Sequence, residues 1–257
     1  MLFRWIPARC ASVLLSLSLG LAPLTAQSNP APRPFPSPET LTFSIEWRLV
    51  NAGIAKVSLE RSGAGWQTRL NLETIGLVSK LYKVDDLLTA HYENQFCIEN
   101  STLNALEGKR KRDTHVAYDR TRNKASYLER DLVKNAIVKQ MEIDISGCVH
   151  DVVGALIYLR TQTVEAGHSI EVPMSDGTKF VAARIEAQER EELKINKQVY
   201  KTIRYEAYIF NKVLYRRSGR LLVWLTEDGR HLPVQIQIRA GFPIGTVTLQ
   251  LDKQEIS

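Results

Sequence analysis

The side chains that most often carry chemistry are few and scattered in this sequence. Its five histidines stand far apart, at positions 91, 115, 150, 168 and 231, and neither C-x-x-C nor H-E-x-x-H spacing occurs. Zinc and similar ions need three or four ligands close together. A G-x-S-x-G nucleophile turn and a glycine-rich phosphate loop are also absent. The acid neighbours Asp85 and Asp86 would face opposite sides of a strand, which argues against a shared proton site. The sequence therefore predicts no metal and no cofactor.

Cys148 is the one residue for which catalysis has to be weighed. It lies in SGCVH, at 146–150, which is similar to the S-H-G-C-[IV]-R signature of the L,D-transpeptidases, exported cysteine enzymes that act on cell-wall peptides. A nucleophilic cysteine needs a base that holds it as a thiolate. The histidine before Gly-Cys is absent here, and His150 replaces the arginine. A structural cysteine is the expectation, and a cysteine-dependent hydrolase or transpeptidase is the least favoured function.

The amino terminus has the features of an export signal. Arg4 and Arg9 precede an apolar run at 11–21, and small residues follow it. Signal peptidase recognises this order, and the run is too short to cross a bilayer. We expect a signal peptide at 1–26, with an uncleaved anchor as the alternative. The expected location is the periplasm or envelope of a Gram-negative cell, with no transmembrane helix in the mature chain.

Two cysteines, Cys97 and Cys148, remain after such processing. An even pair in an oxidising compartment can form one disulfide. Two buried free thiols are the other interpretation, because a core of this size needs no cross-link. The sequence alone leaves both open.

A proline-rich stretch follows the signal. Five prolines fall between positions 30 and 38, which is typical of an extended, poorly packed linker. We predict a linker at 27–39 and one domain at 40–257.

Charge gives little indication of a partner. Removing residues 1–26 takes away two arginines and no acid, so the formal net charge falls from +6 to +4. The dense basic run GKRKR, at 108–112, is typical of a solvated loop in an exported protein. An anionic lipid headgroup or polysaccharide is the alternative partner, and nucleic acid is not expected.

Most of the mature chain alternates apolar and polar residues with a period of two, as β-strands do. LTFSIEWRL, at 41–49, places five apolar residues on one face, from Leu41 to Leu49. Further strands are expected at 54–60, 66–74, 86–96, 111–119, 123–130, 136–143, 169–174, 178–189, 198–208, 221–225, 234–239 and 244–255. Their short turns favour an antiparallel meander.

One segment, VHDVVGALIYLR at 149–160, has apolar residues at helical spacing. Asp151 would lie in its first turn and Arg160 in its last, where charges of these signs favour the helix dipole. The helix is apolar over most of its circumference, so it should be covered on more than one side. The predicted fold is mainly β, with a long, curved, half-barrel-like antiparallel sheet wrapped around this helix.

The hairpin LLVWLTEDGRHLPVQIQIR, at 221–239, has a first strand that is apolar on both faces. One face should meet the helix, and the other should meet either a segment of the chain or a bound apolar group. Asp228 and Gly229 are expected at the turn, where glycine tolerates positive φ. Pro233 cannot donate to a ladder and should bend the hairpin.

That bend would bring Trp224 to the carboxyl end of the helix, beside Tyr158 and Arg160. Aromatic rings and a guanidinium group together suit an amphipathic ligand, so these three residues are the candidate ligand site. A solid core at the same place is the alternative, with Arg160 as a structural arginine that is satisfied by an acid, by the carbonyls at the helix end or by water.

Several stretches carry a resemblance that spans nearly all of the mature chain. They are NAGIAKVSL (51–59), LYKVDD (81–86), EGKRKRDTHVAYDRTRNKASY (107–127), DVVGALIYLR (151–160), LLVWLTEDGRHLPV (221–234) and IGTVTLQL (244–251). In this order they resemble the exported bacterial family catalogued as domain of unknown function 3108. Asp151, Asp228, Pro233 and Gly245 are the structural positions of this signature. The resemblance implies a curved sheet with a helix in its concavity, similar to the half-barrel carriers of the lipoprotein-sorting type, which hold acyl chains.

Three functions follow from these observations. The favoured one is a non-enzymatic envelope protein that binds or carries a lipid, an acyl chain or a glycan between sheet and helix. The second is a structural or assembly protein that docks a protein partner through a sheet edge or the proline-rich arm. The cysteine enzyme is the third.

Overall fold

A computed structural model describes residues 35–241 and 245–256 and shows one antiparallel sheet of fourteen strands. The strands are β1 (Glu39–Trp47), β2 (Val50–Ser62), β3 (Gly65–Thr74), β4 (Val84–Tyr92), β5 (Ile98–Glu107), β6 (Arg110–Asp119), β7 (Lys124–Asp131), β8 (Ala136–Asp144), β9 (Ser169–Ser175), β10 (Phe180–Ile195), β11 (Gln198–Ala207), β12 (Gly219–Thr226), β13 (Pro233–Ala240) and β14 (Thr246–Ile256). The helices are α1 (Gly76–Leu81) and α2 (Val152–Thr161). The signal peptide expected at 1–26 lies outside the described residues, as does the first part of the predicted linker.

The chain runs from the middle of the sheet to one edge, crosses to the other edge, and returns to the middle. β1 to β8 are neighbours in sequence order, α2 leads across to β9, and β9 to β14 return until β14 pairs with β1. Twelve of the thirteen neighbouring strand pairs are therefore consecutive in sequence, while the β1–β14 pair joins the two ends of the described chain.

The sheet is curved around α2, which confirms the predicted fold class. On one side Ala155 and Leu159 pack in a cluster with residues of β9 to β12. On the other side Ile157 packs in a cluster with residues of β2 to β7. One helix can contact both halves of a single sheet only if the sheet bends around it. No helix among the described residues is long and apolar enough to cross a membrane.

The segment that precedes α2 is bonded to strands of both halves of the sheet, β9 and β5. His150 forms an isolated parallel bridge with Met174 of β9, and the backbone N–H of Ile98 donates to the Val149 carbonyl at 2.8 Å. Residues 149 and 150 are therefore extended, and α2 begins three residues later than the predicted start at 149. Asp151 is its N-cap instead of a first-turn residue.

Three local features differ from the sequence-based expectation. β5 was not predicted, because its segment IENSTLNALE has no clear apolar alternation. α1 was not predicted either, since it is six residues long and buries none of them. Leu49 does not continue the face of β1: it lies in the β1–β2 turn with φ of 66° and is 91% exposed.

β12 is apolar on both faces because the chain itself covers both. Val223 and Leu225 belong to the cluster that contains α2. Leu222 and Trp224 alternate with them and pair with Gln237 and Gln235, so they face away from the helix. These two residues belong to a cluster with Ile195, at the tip of the β10–β11 hairpin.

The β10–β11 hairpin reaches that face because β10 has a register shift between Ala187 and Arg190. Such a bulge bends a strand. Beyond it, Glu191 accepts a hydrogen bond of 2.7 Å from Trp224 Nε1, and Asn196 at the hairpin tip donates to Asp252 of β14 at 3.0 Å. The second apolar face of β12 is thus covered by the protein's own hairpin.

Pro233 lies where the sequence places it, at an irregularity. Leu225 pairs with Pro233 and Trp224 with Gln235, so Val234 is the extra residue of a bulge. The positive φ of this turn falls on His231, at 42°, and not on Gly229 as expected. Asp228 stabilises the turn by accepting hydrogen bonds from the Thr226 hydroxyl at 2.7 Å and the Arg230 backbone at 3.0 Å.

Candidate functional site

An apolar cavity of about 450 Å³ lies between α2 and the concave face of the sheet. It is lined by side chains of α2 and of strands from both halves of the sheet, among them Leu41, Phe43, Val57, Leu59, Leu70, Val152, Leu156, Met174, Ile185, Leu221, Val223, Ile236, Ile238 and Leu249. Glu39 and Arg160 are the only charged residues among the described ones that line it. We call this space the apolar cavity.

The cavity exists because α2 does not fill the concavity. Val57, Leu70, Ile236 and Leu249 face the helix side of the sheet yet are only half-buried, and so is Leu156 of α2. Protein interiors are close-packed, with few voids larger than a water molecule. The volume lies in the range of about 300–1,000 Å³ that small-molecule sites occupy. The concave apolar surface therefore has room for a ligand.

Arg160 and Glu39 form a buried, two-pronged ion pair in the wall of this cavity. Arg160 Nη1 donates to Glu39 Oε2 at 2.8 Å and Nη2 donates to Oε1 at 3.0 Å. The Arg160 guanidinium also lies over the ring of Phe35 at 4.6 Å. Its Nε donates to the His231 carbonyl at 3.2 Å, and Gln254 donates to Glu39 at 2.7 Å. Arg160 is thus held as a structural arginine in this state.

The predicted linker is too long at its carboxyl end. Glu39 is the first residue of β1 and is 1% exposed, and Phe35 packs edge-on against Trp66 and Phe96. Sequence reasoning placed both residues in the linker because prolines surround them. An acid next to the first alternating apolar residues, opposite an unexplained helical arginine, was the only available signal.

The structure does not bring the three predicted ligand residues together. Trp224 faces away from the helix, as described above, and is hydrogen-bonded to Glu191. Tyr158 stacks on His150, with ring centroids 4.6 Å apart, and packs between the two clusters that flank α2. Of the three, Arg160 alone lines the apolar cavity. The prediction is wrong for Trp224 because the bulge at Val234 does not reverse the face to which residue 224 belongs.

A second, polar cavity of about 530 Å³ lies beside the first, over the concave face of β4 to β7. Its wall contains Asp86, Arg110, Arg112, Glu129, Lys139 and Asp176 among other residues. Both cavities are bordered by Val152, Val153 and Tyr215. We call this space the polar cavity. Together the two provide an apolar chamber and an adjoining region of mixed charge at the amino end of α2.

The amino end of α2 is held by a buried polar network. Asp151 accepts hydrogen bonds from the Gly154 backbone at 2.6 Å and from the Tyr92 hydroxyl at 3.0 Å, and Tyr92 also contacts the Thr68 hydroxyl at 3.3 Å. Burial raises the pKa of Asp151 to about 6. A Cβ atom on Gly154 would lie 2.6 Å from the Tyr92 ring, so glycine permits this close approach of helix and strand.

His150 has the opposite response to burial. Its Nδ1 lies 2.7 Å from the Phe96 carbonyl, to which it donates. Burial lowers the pKa of His150 to about 4, because the imidazolium would be desolvated. His150 is therefore neutral at neutral pH.

Cys148 is joined to Cys97 in a disulfide, across a sequence separation of 51. The bond links the segment before α2 to the β4–β5 connection. A sulfur in a disulfide has no thiolate with which to attack a substrate. Among the described residues, no group of three or more histidine, cysteine or acidic side chains could hold a metal ion. Gly245, the remaining signature position, has φ of 76° in the β13–β14 turn.

Comparison with known proteins gives the fold a context. The sequence model of the family described as Protein of unknown function (DUF3108) matches residues 42–252. A crystal structure of a β-barrel-like protein of domain of unknown function DUF1849 from Brucella abortus has a TM-score of 0.60 at 10% identity, and the match covers 88% of this chain and 100% of that one. A Bacteroides fragilis protein with a YmcC-like fold has a TM-score of 0.38 at 8% identity, with coverage of 88% and 100%. The sequence matches none of the curated proteins.

Proposed function

The chain belongs to the family of proteins of unknown function DUF3108, and we propose that this member is a non-enzymatic carrier whose ligand is an amphiphile with one acyl chain. The observation that carries the proposal is the apolar cavity of about 450 Å³ between α2 and the sheet. The acyl chain lies there, and the polar head lies toward the polar cavity beyond Val152 and Tyr215.

The chemistry of the wall favours an acyl chain over a glycan. Sugars are recognised through many hydrogen bonds, and the apolar cavity offers them almost no polar partners. Its two charged residues, Glu39 and Arg160, already satisfy each other. Each methylene group that leaves water for such a wall contributes about 0.8 kcal/mol, so a chain of ordinary lipid length provides affinity without a specific polar contact.

A binding role is also favoured over a catalytic one. The two residues before α2 whose side chains could react are both held in structural contacts: Cys148 lies in a disulfide, and His150 donates to a backbone carbonyl. Neither of them lines the apolar cavity. A carrier needs neither of them as a reactive group, and both are explained by their structural contacts.

We place the carrier outside the cytoplasm, in the periplasm of a Gram-negative cell. The disulfide between Cys97 and Cys148 supports this location, because such bonds persist in oxidising compartments and are rare in the cytosol. The basic, apolar and small-residue order at the amino terminus supports it independently.

Ligand binding tests the proposal, and the test variant and its control can both be made in the same strand. Val57 and Val50 both lie in β2, but Val57 lines the apolar cavity and Val50 is 46% exposed. Val57→Trp should place an indole ring inside the cavity and strongly weaken saturable binding of a fluorescent fatty acid, while Val50→Trp should bind like the unchanged protein. Equal binding by both variants, at equal folded fractions, would exclude the cavity as the site. Native mass spectrometry of protein purified from cells should identify the bound lipid.

A further inference from the structure

One margin of the β1–β8 half of the sheet has an unusual surface, independent of the apolar cavity. Successive strands are antiparallel, so alternate connections fall on the same margin of a sheet. The connections at 48–49, 75–83, 108–109 and 132–135 therefore share one margin, and those at 63–64, 93–97 and 120–123 share the opposite one. We call the first of these the leucine–lysine margin.

Exposed apolar side chains are concentrated at the leucine–lysine margin. Eight of the fourteen exposed large apolar residues of the described chain lie in its connections or at the adjoining strand ends: Leu49, Val50, Leu77, Leu81, Tyr82, Leu106, Leu132 and Val133. Leu49 and Leu81 are 91% and 84% exposed. The opposite margin has none of the fourteen. Side chains exposed to this degree contribute nothing to the core, so their position needs another explanation.

Positive charge follows the same margin. Its four connections contain Arg48, Lys80, Lys83, Lys109 and Lys134 and no acidic residue. The four lysines are exposed. None of them forms a salt bridge with a residue in 35–241 or 245–256. The carboxylates at the adjoining strand ends are Glu46, Glu73, Asp85, Glu107 and Asp131. Glu107 and Asp131 are paired with Arg110 and Arg112, so the five basic residues of the connections outnumber the three remaining acids. On the opposite margin the arginines are neutralised, since Arg120 pairs with Glu93 and Arg122 with Asp119.

We propose that the leucine–lysine margin docks on the surface of an anionic lipid bilayer. Isolated leucines at the tips of connections can enter the headgroup boundary one by one, with Tyr82 at the interface. The lysines between them face lipid phosphates, to which each basic residue near an anionic surface is attracted. The cores of protein interfaces are depleted in lysine, so this mixture suits a bilayer better than a protein partner.

Vesicle binding tests the proposal with a matched pair of variants. Protein purified in its processed form is sedimented with vesicles of phosphatidylcholine alone, or of phosphatidylcholine with phosphatidylglycerol. We expect binding only to the anionic vesicles, weakened by salt. Lys80→Gln with Lys83→Gln should reduce the partition coefficient about thirtyfold. Arg120→Gln with Arg122→Gln, on the opposite margin, should leave it within about twofold, because these arginines lie away from the bilayer.

A second variant separates insertion from charge. Leu77→Ser with Leu81→Ser keeps every charge and removes two exposed leucines that pack against nothing in the core, so the thermal midpoint should stay unchanged while the partition coefficient falls about tenfold. A fluorophore on Leu81→Cys should be quenched by brominated lipid, and one on Thr121→Cys should not. Absence of binding to anionic vesicles, equal binding by all variants, or a protein partner at this margin without vesicle binding would overturn the proposal.

Discussion

Arg160 of α2 and Glu39 of β1 form a bidentate ion pair with N–O distances of 2.8 and 3.0 Å, although 121 residues separate them in sequence. Both side chains are almost completely buried, at 4% and 1% exposure. The pair ties the end of the helix to the first strand, which lies in the middle of the sheet. It thereby holds one wall of the apolar cavity in place.

Replacing one partner of this ion pair should destabilise the protein more than replacing both. Arg160→Met leaves the Glu39 carboxylate buried and should lower the free energy of unfolding by about 3–5 kcal/mol. Glu39→Leu leaves the Arg160 guanidinium buried without its carboxylate and should lower the free energy of unfolding by a similar amount. The double variant should recover most of the loss, because no unpaired charge remains. Urea denaturation of the four proteins gives the coupling energy, and additive losses would contradict the role assigned to the pair.

Asp151 and His150 should give opposing pH dependences. The folded pKa of Asp151 is about 6 against an ordinary 3.8, so the folded state holds this proton more tightly and loses stability as pH rises from about 4 to 6. The folded pKa of His150 is about 4 against an ordinary 6.5, so the unfolded state holds that proton more tightly and stability rises from pH 4 to 6.5. Each of these two changes in the free energy of unfolding amounts to about 3 kcal/mol, and in the unchanged protein they largely cancel.

Two substitutions expose these hidden dependences. Relative to the unchanged protein, Asp151→Asn should become more stable as pH rises from 4 to 6, and His150→Gln should become less stable as pH rises from 4 to 6.5. The asparagine can still cap α2, because its amide oxygen accepts the Gly154 N–H. Chemical denaturation at several pH values measures both. Parallel curves for all three proteins would show that neither group is shifted.

Leu156 and Ile157 are neighbours in α2 whose truncation should have different costs. Ile157 is packed in the core at 4% exposure, so Ile157→Ala should lower the free energy of unfolding by about 2–5 kcal/mol. Both residues border the apolar cavity, but Leu156 is only half-buried. Leu156→Ala should therefore cost clearly less, since a side chain with fewer packing partners loses less when it is truncated. Thermal or urea unfolding decides the order. A larger loss for Leu156→Ala would show that the cavity is closed in solution.

Loss of the disulfide should affect stability without affecting ligand binding. Replacing Cys97 and Cys148 together by serine opens a loop of 51 residues, for which chain entropy gives a loss of about 4 kcal/mol. The fatty-acid affinity of the folded fraction should not change, because neither residue lines the apolar cavity. Unfolding in urea and fluorescence titration measure the two effects. A folded double variant that no longer binds would give the sulfurs a direct role.

Sequence periodicity predicted most of this fold for a physical reason. Strands with one wet and one dry face must alternate, as Leu41, Phe43 and Ile45 do, so thirteen of the fourteen strands could be located from their residues. β5 could not, because its concave face borders the polar cavity and carries Ser101 and Glu107 as well as Leu103, so apolar residues do not mark the whole face. The helix was identifiable because apolar residues at 152, 153, 156 and 159 have a spacing that no strand has.

The candidate site was much less predictable. Val57 and Leu70 have the same residue types as fully packed core positions, so the sequence cannot distinguish a filled concavity from one with a cavity. The partner of Arg160 was hidden by distance along the chain. The prediction for Trp224 failed for a third reason. The face of β12 that carries Trp224 is covered because β10 bends beyond Ala187, and that bend comes from the register of β10 with β11. No local sequence pattern shows it.

The pairing of β1 with β14 has a consequence for biosynthesis. Within each half of the sheet, every strand can pair with a neighbour as soon as that neighbour has been made. The second edge of β1 has to wait for the final eleven-residue strand, in which Leu251 faces Phe43. Until then the nascent chain presents an open strand edge of the kind that recruits other chains. A chain that ends before residue 246 should therefore aggregate. We expect the complete protein to need chaperones that keep it from aggregating until β14 has paired with β1.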